Sequence, residues 1–436
     1  MKTTQESQKT IPVVDDVDVL VCGGGPAGVA AAVAASRAGA HTRLIEAHGS
    51  LGGIWTVGAM AYICGMHESK GGILREIVDE LRNRDAVGLS GRAFDIEPAK
   101  LVLEEMCLQS GVMLRLHTRV AAAQRGESNR LATVITESKS GREAWKASVV
   151  IDCTGDGDVA ALAGCGFDIG RPESDEAQPM SFIAVVGGIH LDEVRPYTHL
   201  RNLAPGEDAA IHKHRLRELL ERAGTPPSYS LPTLFHVRDD LFILMSNHEY
   251  ARSATNADDL TKATLQGRTE VHAQVQALRH LGGAWKDICI VATSGQVGVR
   301  EGRRIHGRYA ITAQDLASGA RHPDAVSRCH FGVDIHATNP KESKGLGNEG
   351  VHAKPYDIPL RALIVRDVDG LMMAGRCISG DFVSHSSYRV TADAVPMGEA
   401  AGKVAAVAAK SNRLPHEVAW PEEEIAANKL DARDGL

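Results

Sequence analysis

The sequence contains no CxxC, no CxxxxC and no ferredoxin-like cysteine run; its eight cysteines stand apart at positions 22, 64, 107, 153, 165, 289, 329 and 377. Sequence-local zinc and iron–sulfur sites are thereby excluded, as is the redox disulfide of dithiol reductases. No apolar run is long enough for a membrane span. The opening residues Met1 to Gln8 are polar and lack the apolar core of a secretion signal or an anchor. Nor is there a basic block: 48 basic against 55 acidic residues give a net charge of −7, which argues against a nucleic-acid partner. These absences lead to the expectation of a soluble, cytoplasmic protein with reduced thiols and no membrane partner. Aromatic residues are scarce, at 4%, whereas glycine is abundant, at 44 residues, and the 43% hydrophobic content is enough for two domains with substantial cores. That profile suits a tightly turned α/β protein.

The most constraining feature present is Gly23-Gly24-Gly25-Pro26-Ala27-Gly28, set between the apolar run Val17 to Cys22 and the Ala-rich stretch Val29 to Ala38. The run predicts a buried parallel strand, the Ala-rich stretch a helix, and the glycines the turn between them. In such a turn Gly23 allows the bend, Gly25 lets a pyrophosphate approach the backbone, and Gly28 lets helix and strand pack closely. A second strand, His41 to Ile45, ends on Glu46. Its distance from Gly23 is close to the roughly 20 residues expected for a carboxylate that accepts a ribose 2′-OH. A dinucleotide is expected here, and an acidic residue at this position would repel a 2′-phosphate.

Two more strand-to-glycine turns follow. Val149 to Cys153 runs into Thr154-Gly155-Asp156-Gly157, then a short helix from Val159 to Ala163; Gly370 to Met373 runs into Ala374-Gly375-Arg376, followed by a helix from about Pro396 to Lys410, with the proline in its first turn. Three such turns scattered along the chain, only the first bearing the fingerprint, imply one large cofactor assembled from distant segments. This is the pattern of FAD. The set CGGGPAG, LIEAHGSLGG (44 to 53), IDCTGDGDVAALAG (151 to 164), GVREGRRIHGRY (298 to 309), AGRCISG and SYRVTADAVPMGEAAG resembles the FAD-dependent oxidoreductase family with a glutathione-reductase-like FAD domain. That family includes flavoproteins related to the flavin-binding component of heterodisulfide reductase, whose cysteine clusters this chain lacks. The resemblance implies an α/β fold: a Rossmann-like FAD-binding domain with an inserted α+β substrate domain. It places Gly23, Gly25, Pro26, Ala27 and Gly28 at the pyrophosphate, Glu46 on the adenosine ribose, and Gly52 and Gly53 in the loop leading towards the flavin. It also places Val120 at the adenine, Gly155 and Asp156 beside the cofactor, and Gly375 and Arg376 along the ribityl chain. Gly398, Ala400 and Ala401 would set a helix N-terminus at the flavin pyrimidine, where partial positive charge favours the anionic reduced ring.

The expected organisation is a flexible tail (1–14), a first FAD-binding part (15–166), a substrate domain (167–356), a closing FAD-binding part (357–410) and a polar C-terminal tail (411–436) packed loosely as a short helix. Within the insertion, Ser181 to Gly187, Phe235 to Val237, Asp240 to Met245 and Ile288 to Ala292 read as strands, and Lys213 to Ala223 and Asp258 to Leu281 as helices. Arg300, Arg303, Arg304, His306 and Arg308 form a basic cluster; as a strand it would divide between two faces, so only part of it can point at the flavin. Arginine forks suit an anionic substrate group or a carboxylate partner. His336 and His385 are the acid–base candidates, with a titration near neutral pH, while Arg389 is suited to hold the flavin-proximal loop. Cys64 reads as a buried, inert thiol. The leading function is a dehydrogenase or oxidase passing a hydride from a small polar metabolite, anionic or neutral, to FAD. A monooxygenase using a reduced nicotinamide and an electron-relay flavoprotein of a larger complex are the alternatives. The electron acceptor is unknown from the sequence, and a homo-oligomer is compatible with it.

Overall fold

A computed structural model describes residues 3–4, 9–67, 70–200 and 210–421. Its centre is a parallel sheet made by β1 (Val13–Cys22), β2 (Thr42–Ile45), β3 (Met113–Arg115), β6 (Gly141–Asp152) and β17 (Leu371–Met373) in the order β3-β2-β1-β6-β17. Val19 to Cys22 are fully buried, as an apolar run covered on both faces must be. The first half of β6 pairs antiparallel with β5 (Leu131–Ser138), which pairs in turn with β4 (Arg119–Arg125). Only its last three residues reach β17. β6 therefore serves two neighbours in succession on one edge, a meander first and a parallel strand second.

Helix α1 (Pro26–Arg37) begins at Pro26 rather than Val29, because proline at the first helical position loses no hydrogen bond. Its small residues let the last helix, α10 (Thr391–Lys410), lie directly against it: a Cβ on Gly398 would collide with the Ala27 carbonyl oxygen and one on Gly402 with that of Ala31. Helices α2 (Gly72–Asn83), α3 (Ile96–Gln109) and α4 (Asp158–Leu162) complete this half.

Between residues 167 and 356 lies a second, antiparallel sheet, β11-β8-β10-β9, built from β8 (Ala184–Gly187), β9 (Thr233–Arg238), β10 (Leu241–Met245) and β11 (Cys289–Thr293). Its two faces are divided by the period of two. Val185, Phe235, Val237 and Ile243 join the main core. Ala184, Val186, Leu234, Phe242 and Leu244 pack with α6 (Ile211–Arg222) and α7 (Ala257–Leu281), leaving α5 (Leu191–Val194) as a short turn beside them. Asn256 caps α7 by accepting from the Asp258 and Asp259 amides.

Four readings of the sequence are corrected. The basic segment 300–308 is not a continuous strand: only Arg304 and Ile305 (β12) pair, with Phe167 and Asp168 (β7). Helix α10 starts at Thr391, so Pro396 lies in its interior and Gly398, Ala400 and Ala401 are not at a helix N-terminus. They are enclosed along its length because the close approach to α1 demands small residues there. The stretch 411–421 is anchored, not loose, since Val418 and Trp420 are buried against the main core; the rest of that tail lies outside the described residues. At the other end β1 already begins at Val13. Short pieces α8 (Ala313–Ser318), β13 (Ala325–Cys329), β14 (Ile335–His336), β15 (Leu346–Gly347), β16 (Tyr356–Pro359) and α9 (Phe382–Tyr388) connect the two sheets. Among the described residues no helix is long and apolar enough to cross a membrane.

Candidate active site

The first turn does with each glycine something different. Gly23 has φ +103°, and a Cβ there would strike the Cys153 carbonyl at the end of β6; a Cβ at Gly28 would strike the Gly23 carbonyl. At Gly25, by contrast, a Cβ would meet nothing within 4 Å. The open face of Gly25 stands at the N-cap of α1, which no side chain caps. A backbone laid bare at a helix start is the setting that accepts a phosphate. Gly53 closes in from the other side, its Cβ position 3.1 Å from the Gly25 Cα, and the Gly52 amide donates to the Gly24 carbonyl at 2.8 Å. Glu46, 6% exposed, accepts the Gly24 amide on Oε2 (2.6 Å) and the His48 amide on Oε1 (2.7 Å). Each oxygen keeps acceptor capacity for a hydroxyl. The Thr118 amide donates to the Glu46 carbonyl (2.9 Å), which brings Val120, on β4, to the same end of the sheet.

The other two turns meet here. Arg376, after β17, donates to Asp156, after β6, at 2.8 Å, and both side chains remain partly exposed. A Cβ on Gly155 would press on the Arg376 guanidinium, and one on Gly375 on the Ala27 side chain at 3.1 Å. Behind them Asp152 is fully buried, bonded to the Thr154 amide and hydroxyl and the Ala160 amide; burial pushes its carboxyl up to about 6. The residues thus fit a dinucleotide at the C-terminal ends of the parallel strands, where α/β sheets place such ligands.

A polar cluster lies where the second sheet meets this half. Asp334 Oδ2 and His336 Nε2 are 3.3 Å apart, His336 Nδ1 and His248 Nε2 2.9 Å, and His248 Nδ1 and the Tyr250 hydroxyl 3.0 Å. Tyr229 stacks on the His248 ring at 4.1 Å. With Asp334 ionised, one pattern runs through the chain: Nε2–H of His336 donates to Asp334, Nε2–H of His248 to His336, and Tyr250 O–H to His248 at 3.0 Å in preference to the Ser228 carbonyl at 3.3 Å. The His336 amide donates to Gln178 Oε1 (2.9 Å), which fixes the strand position. Arg389 ties the cluster together, donating to the Arg300 carbonyl (3.0 Å) and the Asp334 carbonyl (2.8 Å), with its charge 3.6 Å from the Asp334 carboxylate. Burial and the Arg300 charge push His336 down to about 3 against the pull of Asp334, so its imidazole is neutral. Burial alone would raise Asp334, but His336, Arg389 and Arg300 together outweigh it and hold the carboxyl below the usual range.

Of the residues singled out in the sequence, His336, Arg300 and Arg389 are brought together. Arg304 is not: it is buried in an ion pair with Glu301 and donates to the Gly170 carbonyl, clamping the 170–178 segment. Arg303, His306 and Arg308 pair with Asp158, Asp168 and Asp369. His385 is 0% exposed, its ring lies beside the Arg376 backbone, and burial drives its basicity well down. Burial pushes the Cys64 thiol up to about 12, away from thiolate chemistry. Sequence reading missed Asp334, His248 and Tyr250. Asp334 was within reach, since Asp-x-His on a strand sets both side chains on one face. His248 and Tyr250, just past the end of β10, carried only the weaker signal of polar residues following an apolar strand.

The sequence model of a family described as FAD dependent oxidoreductase matches residues 18–430. No curated protein matches. The similar solved structures include a geranylgeranyl bacteriochlorophyll reductase-like protein from Thermoplasma acidophilum (13% identity, 96% of this chain and 83% of that one, TM-score 0.46). An anhydrotetracycline hydroxylase from Streptomyces rimosus (13%, 96% and 66%, 0.46) and a flavin-dependent brominase (14%, 95% and 83%, 0.45) are others.

Proposed function

The chain belongs to the FAD-dependent oxidoreductase family and uses FAD, and from that premise we propose that it is a dehydrogenase or oxidase that removes a hydride from a small polar metabolite. The observation that carries this reading is the chain Asp334, His336, His248, Tyr250, whose two histidines are buried, a device for relaying one proton inward from the half-buried Tyr250. Bound FAD supplies the electron-accepting chemistry. Gly25 and the α1 N-terminus would hold its pyrophosphate, Glu46 the adenosine ribose, Val120 the adenine, and Gly53, Asp156, Gly375 and Arg376 the stretch towards the flavin. This placement rests on the open face of Gly25 and the unspent acceptors of Glu46.

In the proposed step the partly exposed Tyr250 hydroxyl receives the substrate's O–H or N–H proton and hands its own to His248 Nδ1. His248 Nε2–H then passes to His336 Nδ1, and the positive charge stands transiently beside Asp334. Each group gains one hydrogen as it releases one, except His336, which holds the proton only transiently as an imidazolium, Asp334 offsetting part of the cost that burial and Arg300 impose. The second sheet acts as a substrate domain in this reading, because it delivers His248 and Tyr250 from the end of β10. We extend the proposal to a glutathione-reductase-like type of FAD domain, supported by the parallel order β3-β2-β1-β6-β17 with the β4-β5-β6 meander.

Anaerobic rapid mixing with a metabolite pool tests the function. Flavin absorbance should bleach without a reduced nicotinamide, and His336→Asn should slow bleaching about 10²–10⁴-fold with FAD still bound. Since His336 is neutral down to about pH 3, the rate should stay flat from pH 8 to well below the ordinary histidine range, rather than fall near neutrality as the sequence suggested. Bleaching that requires a reduced nicotinamide would favour a monooxygenase, and parental rates in the variant would remove the relay from the mechanism.

A further inference from the structure

We propose that Arg300 is a carboxylate-binding residue and that the metabolite bound at this site is a small organic acid. The inference deepens the reading above and rests on it for the location of the substrate. Arg300 is closely surrounded by protein yet keeps part of its surface accessible. Its Nη1 donates to the Pro179 carbonyl at 2.7 Å, and Nη2 has only the Met245 sulfur at 3.8 Å, a poor acceptor. Nε makes no hydrogen bond to any described residue. The Nε–Nη2 edge of the guanidinium, two parallel donors, is therefore open, and that edge has the geometry to take a carboxylate in two parallel bonds.

The charges point the same way. Among the described residues, Arg300, Arg389 and Lys213 all lie within electrostatic reach of one carboxylate, Asp334, while the nearby Glu301 is committed to Arg304. Arg300 and Arg389 repel each other, and Arg389 is already spent on Asp334 and two carbonyls. A buried excess of positive charge is costly unless an anion enters. A monoanion on Arg300 would stand among the same groups as the relay, since Tyr229, Tyr250 and Asp334 all lie within its electrostatic reach.

The test uses acids that the enzyme has no reason to oxidise, so its outcome is independent of flavin bleaching. FAD-loaded protein is titrated with acetate, propionate and benzoate, each against its neutral amide, and with inorganic phosphate, following the flavin absorption difference and the thermal midpoint. At least one acid should saturate below about 100 mM while its amide does not. Arg300→Gln should weaken that binding roughly 10- to 100-fold at unchanged FAD content, and Arg300→Lys should restore part of it as a point charge without the fork. Amides that bind as well as the acids, no saturating acid, binding unaltered in Arg300→Gln, or saturation by phosphate alone would each overturn the proposal. Should Arg300→Gln not retain FAD, the acid–amide comparison on the parent protein and the lysine variant decide it.

Discussion

At Gly25 and Gly28 the same added methyl group has opposite meanings. Gly25→Val should fold as the parent does, because its Cβ meets no protein atom within 4 Å, yet the side chain would fill the space a pyrophosphate needs. Purification should yield colourless protein with a thermal midpoint near that of the FAD-stripped parent. Gly28→Ala should instead lower the stability of the stripped protein itself by about 1–3 kcal/mol, because its Cβ drives into the Gly23 carbonyl and separates α1 from the turn. Denaturant unfolding of both variants without FAD separates the two effects; full FAD occupancy in Gly25→Val would sink the placement. The roles expected of these two residues follow from their spacing, but only packing shows that one glycine faces backbone and the other an opening.

The pair of helices α1 and α10 shows what an element-level reading reaches. Its alanine-rich runs, Val29 to Ala38 and the stretch after Pro396, were legible as helix. The start of α10 was not, because Pro396 is favourable in a first turn and nothing local reveals that the helix begins upstream of it. What those small residues do is visible only with both helices in place: Gly398 lies on the Ala27 carbonyl and Gly402 on that of Ala31. Gly398→Ala should therefore push α10 off α1, lower stability by about 1–3 kcal/mol and weaken FAD binding, although the site is not touched directly. An unchanged melting midpoint and FAD affinity would mean that the helices part at little cost.

For the whole molecule the buried histidines set how acid is tolerated. Burial pushes His336 down to about 3, against about 6.5 in an unfolded chain, so between these values the unfolded state binds a proton that the folded state refuses. The stabilising contribution is present above pH 6.5 and is lost as pH falls towards 3. His199, pushed down to about 4 by burial, acts in the same sense. Asp152, raised to about 6, and Glu249, raised to about 7 mainly by burial, act in the other, since their protonated forms are favoured in the folded state and their contribution is lost as pH rises through those values. The clean measurement is therefore a difference: unfolding free energy from pH 6.5 to 4.5 should fall less steeply in His336→Asn than in the parent, by about 1 kcal/mol per pH unit. Equal slopes would mean that His336 is free to protonate in the folded protein.

The dinucleotide turn, Glu46 and the recurrence of strand-to-glycine turns were all legible along the chain. They depend on conformations and spacings within a few tens of residues, and the backbone demands of a glycine turn are local. Packing alone settles which of two similar histidines is fully enclosed and which enters a relay, and which of five clustered basic residues keeps an open donor edge. His336 meets a histidine 88 residues away, Arg304 finds an acid three residues off, and Arg300 finds none among the described residues. Burial, charge compensation and hydrogen-bond partners are properties of packed neighbours, and no pattern along one chain segment carries them.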